Sequence, residues 1–306
     1  MLMTFDKLVS AVKAGRDEQV IAVAHATDSS LFHAAKAAMD KQFASFVFVG
    51  PVKEMEKLKQ EADFTPEQSA KITLVDAEND LESAKLAVQL VKSNEANVLM
   101  KGMLSTTALL KAVVNKEAGL RTGKILSHIA GFALPQREQL LFITDAAMNI
   151  APDLQDKVQI IQNAVAAVAK IGIDDPKVAV VGAVETVNPT MQATLDASAL
   201  TLMNRRGQIV NCVVEGPLSL DIAVSEEAAA QKGVYSEVAG RADIIAVPTI
   251  EAGNLLYKSL TCFAGATVGG IIAGAAAPII LTSRADSVES KLFSMAMAVS
   301  ASPPME

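Results

Sequence analysis

The sequence predicts a doubly wound α/β protein, with helices covering both faces of mostly parallel sheets. Three observations predict it. The 306 residues are 51% hydrophobic but only 4% aromatic, so the core must be built mainly from Ala, Val, Ile, Leu and Met. Short β-branched runs alternate with helical periods almost from end to end. Most of those runs are continuously apolar, as strands covered on both faces require, whereas a half-solvated antiparallel strand alternates.

Taken in order, strands are expected at Val20–Ala24, Phe46–Val49, Ile72–Val75, Val98–Met100 and Leu140–Thr144. Further on come Val178–Val181, Ile209–Val214, Ile244–Val247 and Ile279–Leu281. Between them the apolar period becomes helical. Leu81, Ala84, Val88 and Val91 share one face, and Leu154, Val158, Ile161, Val165 and Val168 share another. Asp153 is placed to cap the second of these helices, and Gly172 follows its end. Val288, Leu292, Met295 and Val299 make the last stripe.

No internal repeat or low-complexity linker marks a boundary. The breaks are Ala118–Lys124, which carries two glycines, and the Gly-rich stretch after Ala264. A domain closing around an inserted second one needs two such crossings. We therefore expect a first domain of residues 1–126 plus 264–306, and a second of residues 127–263.

Composition excludes several functions. A formal charge of −7, from 27 basic and 34 acidic residues, argues against sequence-independent nucleic-acid binding, which needs a large positive field. A small anion held by a few local cations remains open. Cys212 and Cys262 are too few for a disulfide framework or a Cys-rich metal site, and both read as buried thiols. The start, MLMTFDKLVSAVKAG, lacks the basic and apolar regions of a signal peptide. Ala264–Leu281 is nearly uncharged, but its four glycines and Pro278 make it a poor spanning helix. It reads as a buried loop, helix or strand, and the protein as soluble, cytoplasmic and without a membrane partner.

Familiar motifs are missing. No GxGxxG follows a strand. A phosphate loop at Gly119–Lys124 fails, because Ala118 stands where its first glycine belongs and Ile125 follows the lysine. There is no GxSxG, and His25, His33 and His128 are scattered without metal-ligand spacing, so neither a Ser-His-Asp hydrolase nor a metal site is expected.

Three segments combine polar residues with glycine or with a cation where a packed core has no use for them. The first, Glu215-Gly216-Pro217-Leu218-Ser219-Leu220-Asp221, ends an apolar strand with an acid, a turn and a helix start. Its plain alternative is a strand–turn–helix with Ser219 or Asp221 capping. The second, Glu251-Ala252-Gly253-Asn254-Leu255-Leu256-Tyr257-Lys258, puts Asn254 and Lys258 on one helix face, offering an anion one amide and one cation. A solvated Lys258 on an exposed turn is the alternative. In the third, Thr282-Ser283-Arg284-Ala285-Asp286-Ser287-Val288-Glu289, two hydroxyls and an arginine precede a helix start. Free N–H groups there attract anions, and an arginine fork grips phosphate. Asp286 with Glu289 also reads as a capping box.

In this order the three segments resemble the phosphate acetyl/butyryltransferase family. Lys101-Gly102 with Ser105-Thr106-Thr107, and Thr144-Asp145 with Asn149 and Pro152, match its pattern upstream. The resemblance spans roughly residues 97–300. Ala285 after the Ser-Arg pair is more like the butyryl branch than the acetyl branch, where glycine usually follows. The resemblance implies the reaction acyl-CoA + phosphate = acyl phosphate + CoA, with coenzyme A as substrate and no cofactor. It also implies a two-domain fold like the isocitrate and isopropylmalate dehydrogenases, a cleft active site, and a homodimer or higher homo-oligomer formed through the second domain.

By the same resemblance Ser283 and Arg284 hold the phosphoryl group and the developing carbonyl charge. Lys101, Gly102, Ser105, Thr106, Asp145, Asn149, Glu215, Asp221, Asn254 and Lys258 belong to the substrate sites. The acetyl branch places an aspartate base seven residues after the serine, where this chain has Ser290. Glu289, Asp286 or phosphate itself must then accept the proton. Lys111 and Arg121 stand near a missing arginine of the acetyl branch. Two alternatives are a phosphate acetyltransferase and a non-catalytic module that binds CoA or acyl phosphate.

Overall fold

The structure, a computed structural model, describes residues 3–15, 19–283 and 286–303. Its elements begin α1 (Phe5–Gly15), β1 (Gln19–Ala24), α2 (Ser29–Asp40), β2 (Ala44–Gly50), α3 (Val52–Glu61), α4 (Pro66–Ala70), β3 (Ile72–Asp76) and α5 (Asp80–Lys92). Next come β4 (Val98–Lys101), α6 (Thr106–Val113), β5 (Ser127–Ala133), β6 (Leu141–Thr144), α7 (Leu154–Ile171), β7 (Lys177–Val181) and α8 (Gln192–Arg205). The last are β8 (Val213–Leu218), α9 (Leu220–Val224), α10 (Glu226–Gln231), β9 (Ile244–Ala246), α11 (Ile250–Cys262), β10 (Thr267–Ala273), β11 (Ile279–Ile280) and α12 (Val288–Ala301). They form two compact units. One takes Phe5–Lys124 and Gly269–Glu306; the other takes Met1–Thr4 and Ile125–Val268.

In the first unit the strand order is β3-β2-β1-β4-β11-β10. All neighbours are parallel except β10, which runs antiparallel to β11. The chain winds outward from β1 to β3 and then returns to lay β4 on the other side of β1. Loops leaving the carboxyl ends of two such strands diverge and open a crevice, the usual place for a ligand in a parallel sheet. Behind it α12 is buried continuously from Ser290 to Ala301. Phe293 packs against Phe5 with the rings tilted at 46° and their centroids 4.8 Å apart. Ser294 fits this interior because its hydroxyl donates to the Ser290 carbonyl and accepts the Gly270 N–H, both at 2.9 Å.

In the second unit the order is β5-β6-β9-β7-β8, with β5 antiparallel to β6 and the remaining neighbours parallel. Phe132, Ile143, Ile222, Val238 and Ile245 are fully buried in its core. Asp153 caps α7 and Gly172 closes it at φ 104°, both at their sequence-expected places.

Four local expectations change. The strand expected at Ile209–Val214 lies instead at Val213–Leu218. The Asn204 amide donates to the carbonyls of Ile209 and Cys212, at 3.0 and 2.9 Å, and so folds that stretch into a turn. Strands β5 and β10 lie in runs that glycine and alanine dilute, so hydropathy does not mark β5 and leaves β10 undecided. Leu81 is 58% exposed in the first turn of α5, while Ala84, Val88 and Val91 are buried. Cys262, the last residue of α11, is exposed and not buried. Among the described residues no helix is long and apolar enough to cross a membrane.

Candidate active site

The carboxyl ends of β1, β4 and β11 are neighbours in the first unit. After β1 the chain turns at His25, which takes φ 56°. The β4 loop docks against that turn: Gly102 N–H donates to Ala24 O and Met103 N–H to His25 O, both at 2.8 Å. A Cβ on residue 102 would stand 2.2 Å from His25 O, so only glycine allows the approach. The His25 ring lies 3.2 Å from Ser83 Oγ and 3.5 Å from Asp80. Lys101 is buried, and its ammonium donates to the carbonyls of Gly102 and Leu104 at 3.0 and 3.3 Å. Ser105 caps α6 by accepting the Ala108 N–H at 3.1 Å, and Thr106 opens the helix on the surface. These residues are brought together, and most of their polar groups shape the loop.

The β11 loop supplies the Ser283 segment. Ser283 is exposed; its N–H donates to the Asp286 carboxylate at 2.7 Å, and Asp286 N–H returns to Ser283 O at 3.2 Å. This closed turn changes the helix start. Ser287, not Asp286, is the cap of α12, accepting the Ser290 N–H at 3.1 Å. The expected Asp286–Glu289 capping box does not form, because Ser283 already holds the Asp286 carboxylate. Glu289 is left exposed in the first turn, and Ser290 is 9% exposed. Arg284 and Ala285 lie outside the described residues.

The second unit gathers another group at the end of β6. Asp145 Oδ1 accepts the N–H groups of Ala147 and Met148 at 2.9 Å, and Oδ2 accepts the Asn149 amide at 2.6 Å. Asn149 also donates to Leu126 O at 2.9 Å. The start of α11 presses onto this loop at Gly253, where a Cβ would lie 2.8 Å from Asp145 O. Asn254 reaches Ala146 O at 3.4 Å, and the exposed Lys258 stands 5.0 Å over the Tyr257 ring. The Tyr257 ring also approaches His128, with centroids 6.1 Å apart. Burial pushes the His128 pKa down, against the pull of Asp145.

Glu215 and Asp221 are engaged elsewhere. Glu215 lies within β8 and not at its end, because the strand continues through Gly-Pro to Leu218; its carboxylate meets Arg205 at 3.5 Å. Asp221 pairs with Lys232 at 3.1 Å, beside Glu185, which accepts from Ser219 at 2.5 Å. The Ser219 hydroxyl first, then Lys232, holds the exposed Asp221 carboxyl at about 2. Neither residue of that segment joins the Asp145 group through a described hydrogen bond or ion pair.

Each unit thus has a strand-end cluster in which a glycine permits a close approach of two loops, with a lysine nearby: Gly102 with Lys101 in one, Gly253 with Lys258 in the other. Residues 67–299 match the family model described as phosphate acetyl/butaryl transferase. This chain belongs to that family. A Bacillus subtilis (strain 168) relative named probable phosphate butyryltransferase is 51% identical over 93% of each chain. A phosphate acetyltransferase of Thermotoga maritima is 41% identical over 96% of this chain and 98% of its own. A solved branched-chain phosphotransacylase from Enterococcus faecalis V583 superposes with a TM-score of 0.81 at 35% identity, covering 92% of this chain and 98% of that one.

Within this transferase family frame, sequence reasoning set His25 and His128 aside as scattered histidines and did not single out Glu185, Lys232 or Lys291. A positive-φ histidine at a strand end leaves no trace in hydropathy. Lys291, four residues into α12, reads in sequence as an ordinary surface cation; the flanking apolar stripe was the only signal that it is buried.

Proposed function

We propose that this protein moves a short acyl group, butyryl or similar, between coenzyme A and inorganic phosphate. Family membership over most of the chain carries the reading. The butyryl preference is supported by Ala285 after Ser283-Arg284 and by the higher identity to the butyryl-named relative. Phosphate oxygen attacks the thioester carbonyl, the C–S bond breaks, and the thiolate of CoA takes up a proton. In reverse the thiol loses that proton, attacks the acyl phosphate carbonyl, and phosphate leaves. Ser283 and Arg284 stabilise the phosphoryl group and the carbonyl oxyanion. Glu289 exchanges the proton, since Asp286 is committed to its turn. The Lys101–Thr106 loop and the Asp145, Asn149, Asn254 and Lys258 group bind the substrates, and no metal takes part.

The deciding measurement is release of CoA thiol from C2 to C6 acyl-CoAs with and without phosphate, in the presence of a chelator. Phosphate-dependent release, fastest with butyryl-CoA, is expected. Release without phosphate makes the protein a thioesterase and overturns the reading. Arg284→Ala should lower kcat/KM by roughly 10²–10³, the loss typical of one preorganised oxyanion or phosphate contact. We also propose a cytoplasmic homodimer formed through the unit containing Ile125–Val268. There Phe263, Leu255 and Ile150 are 90%, 69% and 69% exposed, and large apolar side chains standing in water favour a covered face. Light scattering that finds only a 32 kDa species would count against it.

A further inference from the structure

Lys291 is 1% exposed, a rare state for a lysine. It is the fourth residue of α12, near the helix end that carries partial positive charge, where a cation gains nothing from the helix itself. Its ammonium has two described contacts. It donates to the Asp286 backbone carbonyl at 2.7 Å, and it lies 3.7 Å from Asp28 Oδ2. Asp28 is already occupied: its oxygens accept the Ser30 N–H at 3.0 Å and the Ser30 hydroxyl at 2.9 Å. The carboxylate partner of Lys291 is thus held 3.7 Å away, and the shortest contact of the ammonium is the carbonyl of Asp286, the residue whose carboxylate holds the Ser283 N–H.

We infer that Lys291 is a positioning residue for the phosphate end of the reaction. Through the Asp286 carbonyl it holds Asp286, which binds the Ser283 N–H, and it places a buried positive charge next to that pair. It links the β11 loop to Asp28 in the loop after β1, so two of the three converging strand ends move as one piece. The inference rests on the function proposed above. Lys291 acts through the backbone and has no need to touch substrate.

The test compares Lys291→Met, Lys291→Gln and the double variant Asp28→Asn/Lys291→Met in the full chain, by steady-state kinetics and thermal midpoint. Lys291→Met should lower kcat/KM for phosphate roughly 10²-fold, the scale of a small misplacement at a reacting group. KM for butyryl-CoA should stay nearly constant. The double variant removes both charges of the pair, so its thermal midpoint should recover while the phosphate defect persists. A purely structural lysine predicts the opposite: phosphate kinetics return with stability, or both KM values suffer alike. Either result overturns the inference. Lys291→Gln keeps a donor for the carbonyl, is read if removal of both charges unfolds the chain, and should recover part of the phosphate defect; a phosphate KM no better than that of Lys291→Met overturns positioning through the Asp286 carbonyl. Absence of phosphate-dependent release in the wild type defeats the proposed function itself, and this inference with it. Normal wild-type turnover with unaffected variants defeats only the role of Lys291.

Discussion

Lys157 and Lys291 are both nearly excluded from solvent, one in each unit, and each faces an aspartate. Lys157 meets Asp196 at 2.5 Å, joining α7 to α8, and Gln192 donates to the other oxygen of that carboxylate at 2.8 Å. The pair is closed on itself and sits on no strand-end loop. Lys291 stands 3.7 Å from its aspartate and gives its shortest bond to a main-chain carbonyl. Burying two charges costs about as much as their attraction returns unless the geometry is close and every donor is matched. A closed pair can thus fix helix packing and do little else, whereas an open one leaves field for a ligand. The difference separates a lysine that serves the fold from one that serves the site.

The sharpest way to break the comparison is to remove each aspartate. Asp196→Ala strands Lys157 without a partner and should cost about 3–5 kcal/mol, with kcat/KM of the folded fraction unchanged. Asp28→Asn should cost less than Asp196→Ala, since the pair it breaks is longer, 3.7 Å against 2.5 Å, and asparagine caps α2 nearly as well, and it should shift the KM for phosphate. Chemical denaturation and phosphate kinetics on both variants decide it. Equal stability losses, or a phosphate defect in Asp196→Ala, would erase the distinction.

A smaller effect separates the two roles at the start of α12. With Ser287 as cap, Ser287→Ala should lower stability by about 1 kcal/mol and leave turnover largely intact. Glu289→Gln should do the reverse, lowering kcat by about 10²-fold or more, as loss of a positioned proton carrier does, while the thermal midpoint holds. Unchanged kcat in Glu289→Gln would leave phosphate or water as the proton acceptor, and would leave Lys291 the principal charged group behind that loop.

These contrasts show where the sequence was readable. The parallel α/β class followed from continuous apolar runs, because burial on both faces leaves its mark residue by residue. Asp153 and Gly172 were legible because a cap is a local contract between a side chain and the next few N–H groups. The capping of α12 was misread since Asp286 and Ser287 are both good caps, and the Ser283 N–H three residues upstream claims the first of them. Lys101, Gly102, Asp145 and Asn149 were found through the family resemblance, but their mutual bonding was not. His25 was set aside and Lys291 passed over because their surroundings come from distant parts of the chain: Gly102 against His25, Asp28 against Lys291. Pairings of that kind have no period along the chain.

The exposed Glu185–Ser219–Asp221–Lys232 cluster sharpens the comparison from the other side, as a charged group bathed in water. Asp221 and Lys232 are 53% and 46% exposed, so solvent screens their attraction and its worth in stability is small. The sign of its pH dependence is nonetheless fixed. Ser219 and Lys232 hold the Asp221 carboxyl at about 2, below its ordinary 3.8. A carboxyl depressed by folding binds protons more weakly in the native chain than in the unfolded one, so its contribution is complete above the unfolded value. It is lost as pH falls from about 4 toward about 2. Wild-type stability should therefore fall slightly more steeply than that of Asp221→Asn across this window, and the gap should shrink when salt shortens the screening length. Urea midpoints for both chains at pH 2, 3, 4 and 5, in low and high salt, measure it. Parallel curves would mean that the cluster adds nothing even at low salt. A salt-insensitive gap would mean that it is buried in solution, covered by a face that this chain alone does not provide.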